Sequence, residues 1–173
     1  ILPTVNRAAS SGTYSDAYLF YTVSGSKWGI DVGLAYNSGN GEEGWRGCYT
    51  PEKEGTTTTK YVISALKAGS KVYFNAVVET NGYLRFRVLD GNNFDTVYYD
   101  ISYYVKDKEI YRTNAAFNRQ ITLCNGAKNF KTGAYVKNAA FNNAYIYSSN
   151  GYKQTVAANT VSNRRGVFGT NST

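Results

Sequence analysis

Residues 71–101 alternate apolar and polar side chains and are divided by two turn signals, which restricts the possible folds more than any other part of the sequence. Alternation over about four to eight residues is typical of a β-strand with one buried face. The first turn contains Asn81-Gly82, and the second is the segment 90–93, rich in Asx residues. We therefore predict three antiparallel strands joined by two short loops.

The register of the first turn decides which side chains face the core. A two-residue Asn81-Gly82 loop would place Arg85 and Arg87 among apolar neighbours, which is costly. A three-residue loop avoids this, with its glycine in the left-handed conformation where a missing Cβ removes the steric penalty. We predict this second register, with the cross-strand pairs Val78 and Leu84, Ala76 and Phe86, and Phe74 and Val88.

The second turn is predicted as a four-residue loop over 90–93, which sets Phe86 opposite Val97 and Leu84 opposite Tyr99. One face of the sheet is then apolar and forms the core. The opposite face combines aromatic, basic and polar groups, and we predict it to be a ligand surface. Its members are Tyr73, Asn75, Val77, Glu79, Tyr83, Arg85, Arg87, Thr96, Tyr98 and Asp100.

The composition of the whole chain favours strands and turns. Glycine and tyrosine each occur 17 times in the 173 residues, against two prolines, and no window carries a sustained helical pattern of apolar residues. A chain of this length buries roughly 70% of its unfolded surface, which suits one domain. We predict a single all-β domain over residues 1–173, a jelly-roll β-sandwich of two curved antiparallel sheets, with residues 1–12 as an N-terminal arm.

Residues 37–47 are rich in glycine, and we predict a long turn-rich loop there. Gly39, Gly41 and Gly44 match the spacing of a dinucleotide-binding loop. The intervening glutamates would repel a pyrophosphate and no helical pattern follows, so the match does not indicate nucleotide binding. Trp45 at the end of this loop either stacks on a sugar ring or closes the end of the core.

The two cysteines, Cys48 and Cys124, lie on different predicted strands far apart in sequence. We predict that they form a disulfide, which would stabilise the fold by roughly 4 kcal/mol through loop closure if the geometry allows it, with two buried thiols as the alternative. The sequence begins at Ile1 and contains no methionine, so we expect a secreted, extracellular protein whose signal peptide has been removed, with a trimmed sequence as the alternative.

The formal net charge of +7 suits an anionic partner. The lysines and arginines are scattered without a dense run, so they form either a solvated surface or one that attracts acidic glycans, and we expect no nucleic-acid partner. No stretch approaches the roughly 20 apolar residues that cross a bilayer, so we expect no membrane insertion. We expect a monomer.

The absence of histidine excludes a Ser-His-Asp or Cys-His nucleophilic site and a histidine-bearing zinc site. Two cysteines are too few for a thiolate metal cage. The acidic residues lack the arrangement expected for the carboxyl pair of a glycosidase. Asx residues at 90–95 are ordinary turn formers, with Ca²⁺ binding as the alternative. We predict no cofactor, no metal and no catalytic residue.

The alternation of tyrosine, tryptophan, glycine and short strands resembles the concanavalin A-like group of secreted jelly rolls, which includes lectin-like modules and alginate-lyase-type enzymes. The chain also looks like a small uncharacterised secreted family from Bacillus relatives. The segments 85–87, 120–122 and 129–135 follow the order found in the lyases, with Thr122 at the position of their histidine. The resemblance implies an alternative lyase site of Arg85, Arg87, Gln120 and Tyr135.

Three functions follow from these observations. The leading hypothesis is a non-enzymatic module that binds an acidic or cell-wall polysaccharide, through stacking on aromatic rings and pairing with arginine. The alternatives are a polysaccharide lyase acting on a uronate polymer and a structural secreted domain without a sugar site. The predicted ligand-binding residues are Tyr73, Asn75, Tyr83, Arg85, Arg87, Tyr98 and Trp45.

Overall fold

The computed structural model describes residues 1–7, 15–25, 28–39, 42–53, 56–57, 60–61, 64–108, 116–125, 135–138, 145–147 and 153–155. Within these ranges the regular structure is entirely β-strand, and each strand pair is antiparallel. The prediction of an all-β protein is confirmed. Across the same ranges no helix combines the length and the apolar character that crossing a membrane requires.

The described strands are numbered in chain order. They are β1 (Thr4–Asn6), β2 (Ser15–Ser24), β3 (Trp28–Gly39), β4 (Glu42–Lys53), β5 (Thr56–Thr57), β6 (Lys60–Tyr61), β7 (Val72–Val78), β8 (Tyr83–Asp90), β9 (Val97–Tyr104), β10 (Ala116–Asn125), β11 (Tyr135–Lys137), β12 (Tyr145–Tyr147) and β13 (Lys153–Thr155).

The large sheet has the strand order β10-β2-β3-β4, and both β5 and β6 pair with β4. In β3 the residues Ile30, Val32 and Leu34 are buried on one face, as their alternation with smaller residues predicts. Two shorter sheets pair β1 with β11 and β12 with β13.

The small sheet has the order β7-β8-β9, and the first predicted hairpin is confirmed. Gly82 has a φ of 93°, the left-handed conformation that a three-residue loop requires. The observed pairs are Val78 with Leu84, Ala76 with Phe86, and Phe74 with Val88.

The predicted register of the second hairpin is wrong. Phe86 pairs with Ile101 instead of Val97, a shift of four residues. The loop is longer than predicted because the backbone N–H of Asp90 donates to Thr96, and a β-bulge between Val88 and Leu89 adds a residue to β9. An even shift leaves Tyr99 and Ile101 on the core side, where both are buried, whereas Val97 is exposed.

The large and small sheets face each other across one hydrophobic core. The ring of Tyr21 in the large sheet lies 6.0 Å from that of Phe74 in the small sheet, measured between centroids. Trp28 stacks on Tyr103 with a centroid distance of 5.8 Å. The fully buried residues that fill this core come from both sheets and include Ile30, Leu34, Trp45, Phe86 and Val88.

Residues 1–7 of the predicted N-terminal arm lie against this core. Leu2 and Val5 are buried in it, and the N–H of Leu2 donates to the carbonyl oxygen of Ser70 at 2.8 Å. The arm contributes β1, which pairs with β11. The rest of the predicted arm, residues 8–12, falls outside the described residues.

The loop predicted over 37–47 is wrong, because β3 and β4 extend through it as one hairpin. Tyr36 pairs with Trp45, and Gly39 pairs with Glu42 at the end of the ladder. Asn40-Gly41, a dipeptide typical of tight hairpins, is the sequence signal for this arrangement.

Candidate functional site

The outer face is the surface of the small sheet that points away from the core. Cross-strand pairing aligns Asn75, Arg87 and Asp100 in one row across its three strands. The neighbouring row is formed by Val77, Arg85 and Ser102. The outer face is defined by Tyr73, Asn75, Val77, Tyr83, Arg85, Arg87, Asp100, Ser102 and Tyr104.

Arg85 is held by two carboxylates on this face. Its Nε donates to Oδ1 of Asp100 at 2.7 Å, a terminal nitrogen contacts Oδ2 of the same residue, and Nη1 lies 3.5 Å from Oε1 of Glu79. The hydrogen bond from Arg85 lowers the pKa of Asp100 and raises the pKa of Arg85 itself. The side chain of Arg85 is 38% exposed, and most of its donors are already engaged.

Arg87 is in a different position, although Asp100 is its direct cross-strand neighbour. Its Nη2 donates to Oδ1 of Asn75 at the long distance of 3.5 Å. Its Nε is buried, and none of the described residues accepts a hydrogen bond from it. Because Nε is closed to solvent, the unused donors that a ligand could reach are those of the two terminal nitrogens, whose one hydrogen bond among the described residues is the long contact with Asn75.

Two exposed aromatic rings lie at one end of the outer face. The rings of Tyr73 and Phe94 are 5.0 Å apart between centroids and tilted by 36°. Tyr73 is 40% exposed and Phe94 is 59% exposed. Tyr73 was predicted as a site residue and Phe94 was not, because Phe94 lies in the loop between β8 and β9. An aromatic residue within an Asx-rich turn was the available signal.

A second pair of exposed rings lies at the opposite end of β8. Tyr83 and Tyr104 are cross-strand neighbours with a centroid distance of 5.2 Å and an edge-to-face angle of 67°. Tyr83 was predicted, and Tyr104 is added by the observed register. Aromatic pairs therefore lie at both ends of the outer face, with the arginines between them.

Tyr98, which was predicted as a ligand-binding residue, is held by contacts outside the rows that form the outer face. Its ring packs against the core, and its hydroxyl donates to Oδ2 of Asp90 at 2.6 Å. This hydrogen bond raises the pKa of Tyr98 and lowers the pKa of Asp90. The bulge beside Leu89 interrupts the alternation from which the outward direction of Tyr98 was inferred.

Trp45 does not join the outer face either, and its role in stacking on a sugar is wrong. Its side chain is fully buried, and its Nε1 donates to the carbonyl oxygen of Pro3 at 3.0 Å. Its ring meets Tyr36 edge-on at 5.4 Å between centroids. The alternative, in which Trp45 belongs to the core, is confirmed.

The four residues of the alternative lyase site are distributed over three sheets. Arg85 and Arg87 lie on the outer face of the small sheet, whereas Gln120 lies in β10 of the large sheet, opposite Phe20. The hydrophobic core separates these two sheets. Tyr135 lies in β11, where the Nζ of Lys137 is 4.8 Å from its ring. The structure does not bring the four residues together.

The predicted disulfide between Cys48 and Cys124 is wrong. Cys48 lies in β4 and Cys124 in β10, with β2 and β3 between them, which separates the two backbones by roughly 14 Å. A disulfide requires Cα atoms about 4.4 to 6.8 Å apart. Cys48 is a buried free thiol packed with Phe20 and Ala35, and burial raises its pKa.

The loop over 90–95 uses its side-chain oxygens to form turns. Oδ1 of Asp90 accepts from the N–H of Asn92 at 2.7 Å, and Oδ1 of Asn93 accepts from the N–H of Asp95 at 3.2 Å. Within the described ranges, no group of three or more histidine, cysteine, aspartate or glutamate residues could hold a metal ion.

Comparison of the chain with models of known protein families, with curated proteins and with solved structures finds no match. The function of the outer face must therefore be inferred from its own contacts.

Proposed function

We propose that this protein is a secreted, non-enzymatic carbohydrate-binding module that binds an acidic polysaccharide on the outer face. The observation that carries this proposal is the state of Arg87, which lies between exposed aromatic pairs and forms one long hydrogen bond among the described residues. A carboxylate on a bound glycan would accept hydrogen bonds from this guanidinium in the geometry that arginine favours.

Each part of the outer face has a role in this proposal. Arg87 pairs with the acidic group, while the amide of Asn75 bonds to a sugar hydroxyl. Tyr73 and Tyr83 present ring faces on which the apolar sides of sugars stack. Arg85 has a supporting role, because it engages both carboxylate oxygens of Asp100.

Charge alone does not explain binding at this face. The two positive charges of Arg85 and Arg87 are formally balanced by Asp100 and Glu79. Recognition therefore depends on directed hydrogen bonds from Arg87, while the net charge of +7 on the chain assists long-range attraction. We expect salt to weaken binding moderately without abolishing it.

The length of the outer face suits a polymer. Tyr73 pairs with Leu89, one residue before the end of β8 at Asp90, and Tyr83 is the first residue of β8. Leu89 lies six positions after Tyr83 in the chain, which corresponds to roughly 20 Å of extended strand. A glycan lying along β8 would contact both aromatic pairs and pass over Arg87 between them.

Retention on an insoluble polyuronate tests the proposal. We expect the wild-type protein to be retained and Arg87→Ala to elute early, because this change removes the unused donors. Lys67→Ala is the matched control, since Lys67 is exposed, carries the same charge and lies in the segment before β7. Thermal unfolding of both variants verifies that they are folded.

Three results would contradict the proposal. Equal retention of Arg87→Ala and wild type would show that the outer face is not the binding site. Lack of retention on any glycan would favour a structural domain without a sugar site. Appearance of unsaturated uronate products in ultraviolet absorbance would favour lyase chemistry.

As part of this proposal, the fold is a jelly roll and the chain is a member of the concanavalin A-like group. Two antiparallel sheets around one core support both assignments.

A further inference from the structure

Phe94 is 59% exposed, the highest value among the aromatic side chains whose exposure the structure describes. It lies in a loop that several hydrogen bonds hold in place. The N–H of Asp90 donates to the carbonyl oxygen of Thr96 at 2.9 Å, which closes the loop at its base. Nδ2 of Asn93 donates to Oγ1 of Thr96 at 3.2 Å. The hydrogen bonds that shape the loop come from its Asx residues and its backbone, so none of them requires the ring of Phe94.

The loop is also anchored to the beginning of β7. The N–H of Gly91 donates to the carbonyl oxygen of Lys71 at 2.9 Å. A Cβ at Gly91 would lie 2.6 Å from Cγ of Lys71 and 3.0 Å from its carbonyl carbon, so close contact requires glycine here. This anchor holds Phe94 beside Tyr73, two residues after Lys71 in the chain.

Exposed apolar side chains that form a contiguous patch are a common feature of binding sites, and the exposed rings of Tyr73 and Phe94 are in contact. We call the rings of Tyr73 and Phe94 the aromatic platform. The platform adjoins the row that contains Arg87, because Tyr73 is diagonal to Arg87 across the β7 and β8 ladder. Diagonal neighbours in an antiparallel pair are roughly 7 to 8 Å apart, within reach of long side chains.

We propose that the platform and Arg87 together form a subsite for a uronate sugar, whose ring stacks on Tyr73 and Phe94 while its carboxylate binds Arg87. This inference rests on the proposed function and specifies its ligand. In a uronate the carboxyl carbon is bonded directly to the sugar ring. The carboxylate of the sugar therefore lies close to its ring. On the protein, the guanidinium of Arg87 likewise lies close to the aromatic platform, so the two spacings match.

Sulfated sugars fit this arrangement less well. A sulfate ester is attached through an oxygen atom, which moves the anionic group farther from the ring. Its tetrahedral oxygens also lack the planar match that a carboxylate makes with a guanidinium. We therefore expect the subsite to prefer carboxylated polymers to sulfated polymers of similar charge density.

Affinity for a soluble uronate oligosaccharide, measured by isothermal titration calorimetry, tests the inference. We expect Phe94→Ala to weaken binding about tenfold, equivalent to about 1.4 kcal/mol. Tyr145→Ala is the matched control, since it removes a ring that is 40% exposed, as Tyr73 is, from β12, outside the small sheet. We expect this change to weaken the binding of a short oligosaccharide by less than about twofold, a difference of under about 0.5 kcal/mol. The same titration with a sulfated oligosaccharide and with a carboxyl-reduced oligosaccharide measures selectivity.

The outcomes separate this inference from the proposed function. If the wild type and Phe94→Ala bind the uronate equally, the platform is excluded, whereas binding by the module stands. If sulfated or carboxyl-reduced sugars bind as tightly as the uronate, the carboxylate subsite is excluded. If no glycan binds the wild type, both proposals fail. The exposed position of Phe94 predicts an unchanged midpoint of thermal unfolding in Phe94→Ala, which makes loss of affinity interpretable.

Discussion

The hydroxyl of Tyr99, on the small sheet, lies 3.2 Å from the carbonyl oxygen of Trp45, on the large sheet. It also contacts the carbonyl oxygen of Ser64. Burial raises the pKa of Tyr99 to about 12, so the phenol stays protonated and can donate its hydrogen bond at neutral pH. The ring of Tyr99 thereby packs in the shared core, while its one O–H lies within hydrogen-bonding distance of two backbone carbonyl oxygens outside the small sheet.

Replacing Tyr99 with phenylalanine tests this connection between the sheets. Tyr99→Phe keeps the ring but removes the hydrogen bond of the hydroxyl, while the Trp45 carbonyl oxygen keeps the N–H of Leu66 as a donor at 2.7 Å. We therefore expect a cost of about 0.5 to 1.5 kcal/mol in the free energy of unfolding. Urea denaturation measures this change. Tyr104→Phe, on an exposed ring, should alter the free energy of unfolding by less than about 0.5 kcal/mol. Equal effects of the two changes would contradict a specific role for the Tyr99 hydroxyl.

Gly47 tests how closely the two sheets pack. A Cβ at this position would lie 3.0 Å from Cγ of Tyr99 and 3.2 Å from Cδ1 of Ile101. We expect Gly47→Ala to destabilise the protein by about 1 to 3 kcal/mol, the range for overpacked cores.

Gly29 provides the matched control, because a Cβ there would meet its nearest neighbours at 3.4 Å, an ordinary contact distance. Gly29→Ala should be neutral or stabilise the protein by up to about 1 kcal/mol, since alanine reduces the entropy of the unfolded chain. Similar unfolding midpoints for the two variants in urea would show that the sheets tolerate extra volume at Gly47.

Asp31 should make stability decrease as the pH rises. Burial raises the pKa of its carboxyl group, and the hydrogen bond donated by Thr22 offsets this effect in part. A raised pKa in the folded state favours folding below the unfolded pKa, and this contribution is lost as pH rises through the folded value. Asp31→Asn should therefore be more stable than wild type at pH 7, well above the carboxyl pKa in the unfolded chain, and this advantage should shrink in acid. Thermal unfolding across the acid range measures it.

Asp100 should show the opposite dependence. The hydrogen bond from Arg85 lowers its pKa, so its contribution to stability is present above the unfolded pKa and is lost as pH falls through the folded value. Asp100→Asn should reduce stability at neutral pH, with a smaller difference from wild type in acid. The ion pair is partly exposed, so the effect should also decrease with added salt. A pH-independent difference would contradict the assigned role of the charge.

The cysteine assignment predicts the behaviour of the thiols. Because Cys48 is free and buried, reducing agent should leave the free energy of unfolding unchanged. A thiol reagent should modify Cys48 slowly in the folded protein and rapidly in denaturant, since burial raises the pKa of the thiol. If the reducing agent lowered the midpoint of unfolding, the assignment of Cys48 as a free thiol would be contradicted.

Several features of the site were predictable because they depend on local rules. The loop at Gly82 and the alternation along β7 and β8 together place Arg85 and Arg87 on one surface. Both rules act over a few residues, and the observed register follows them. In contrast, the carboxylate of Asp100 can bind either arginine, and the choice of Arg85 depends on the register of β9.

The sequence by itself determined the all-β class, the first hairpin and the apolar face of the small sheet, because side-chain alternation and a glycine turn are local properties of the backbone. Tertiary structure alone decided the burial of Trp45, the inward turn of Tyr98 and the separation of Cys48 from Cys124. Each of these depends on which strands become neighbours and where a bulge interrupts them. That outcome minimises the free energy of the whole core, so it cannot be read from any single segment.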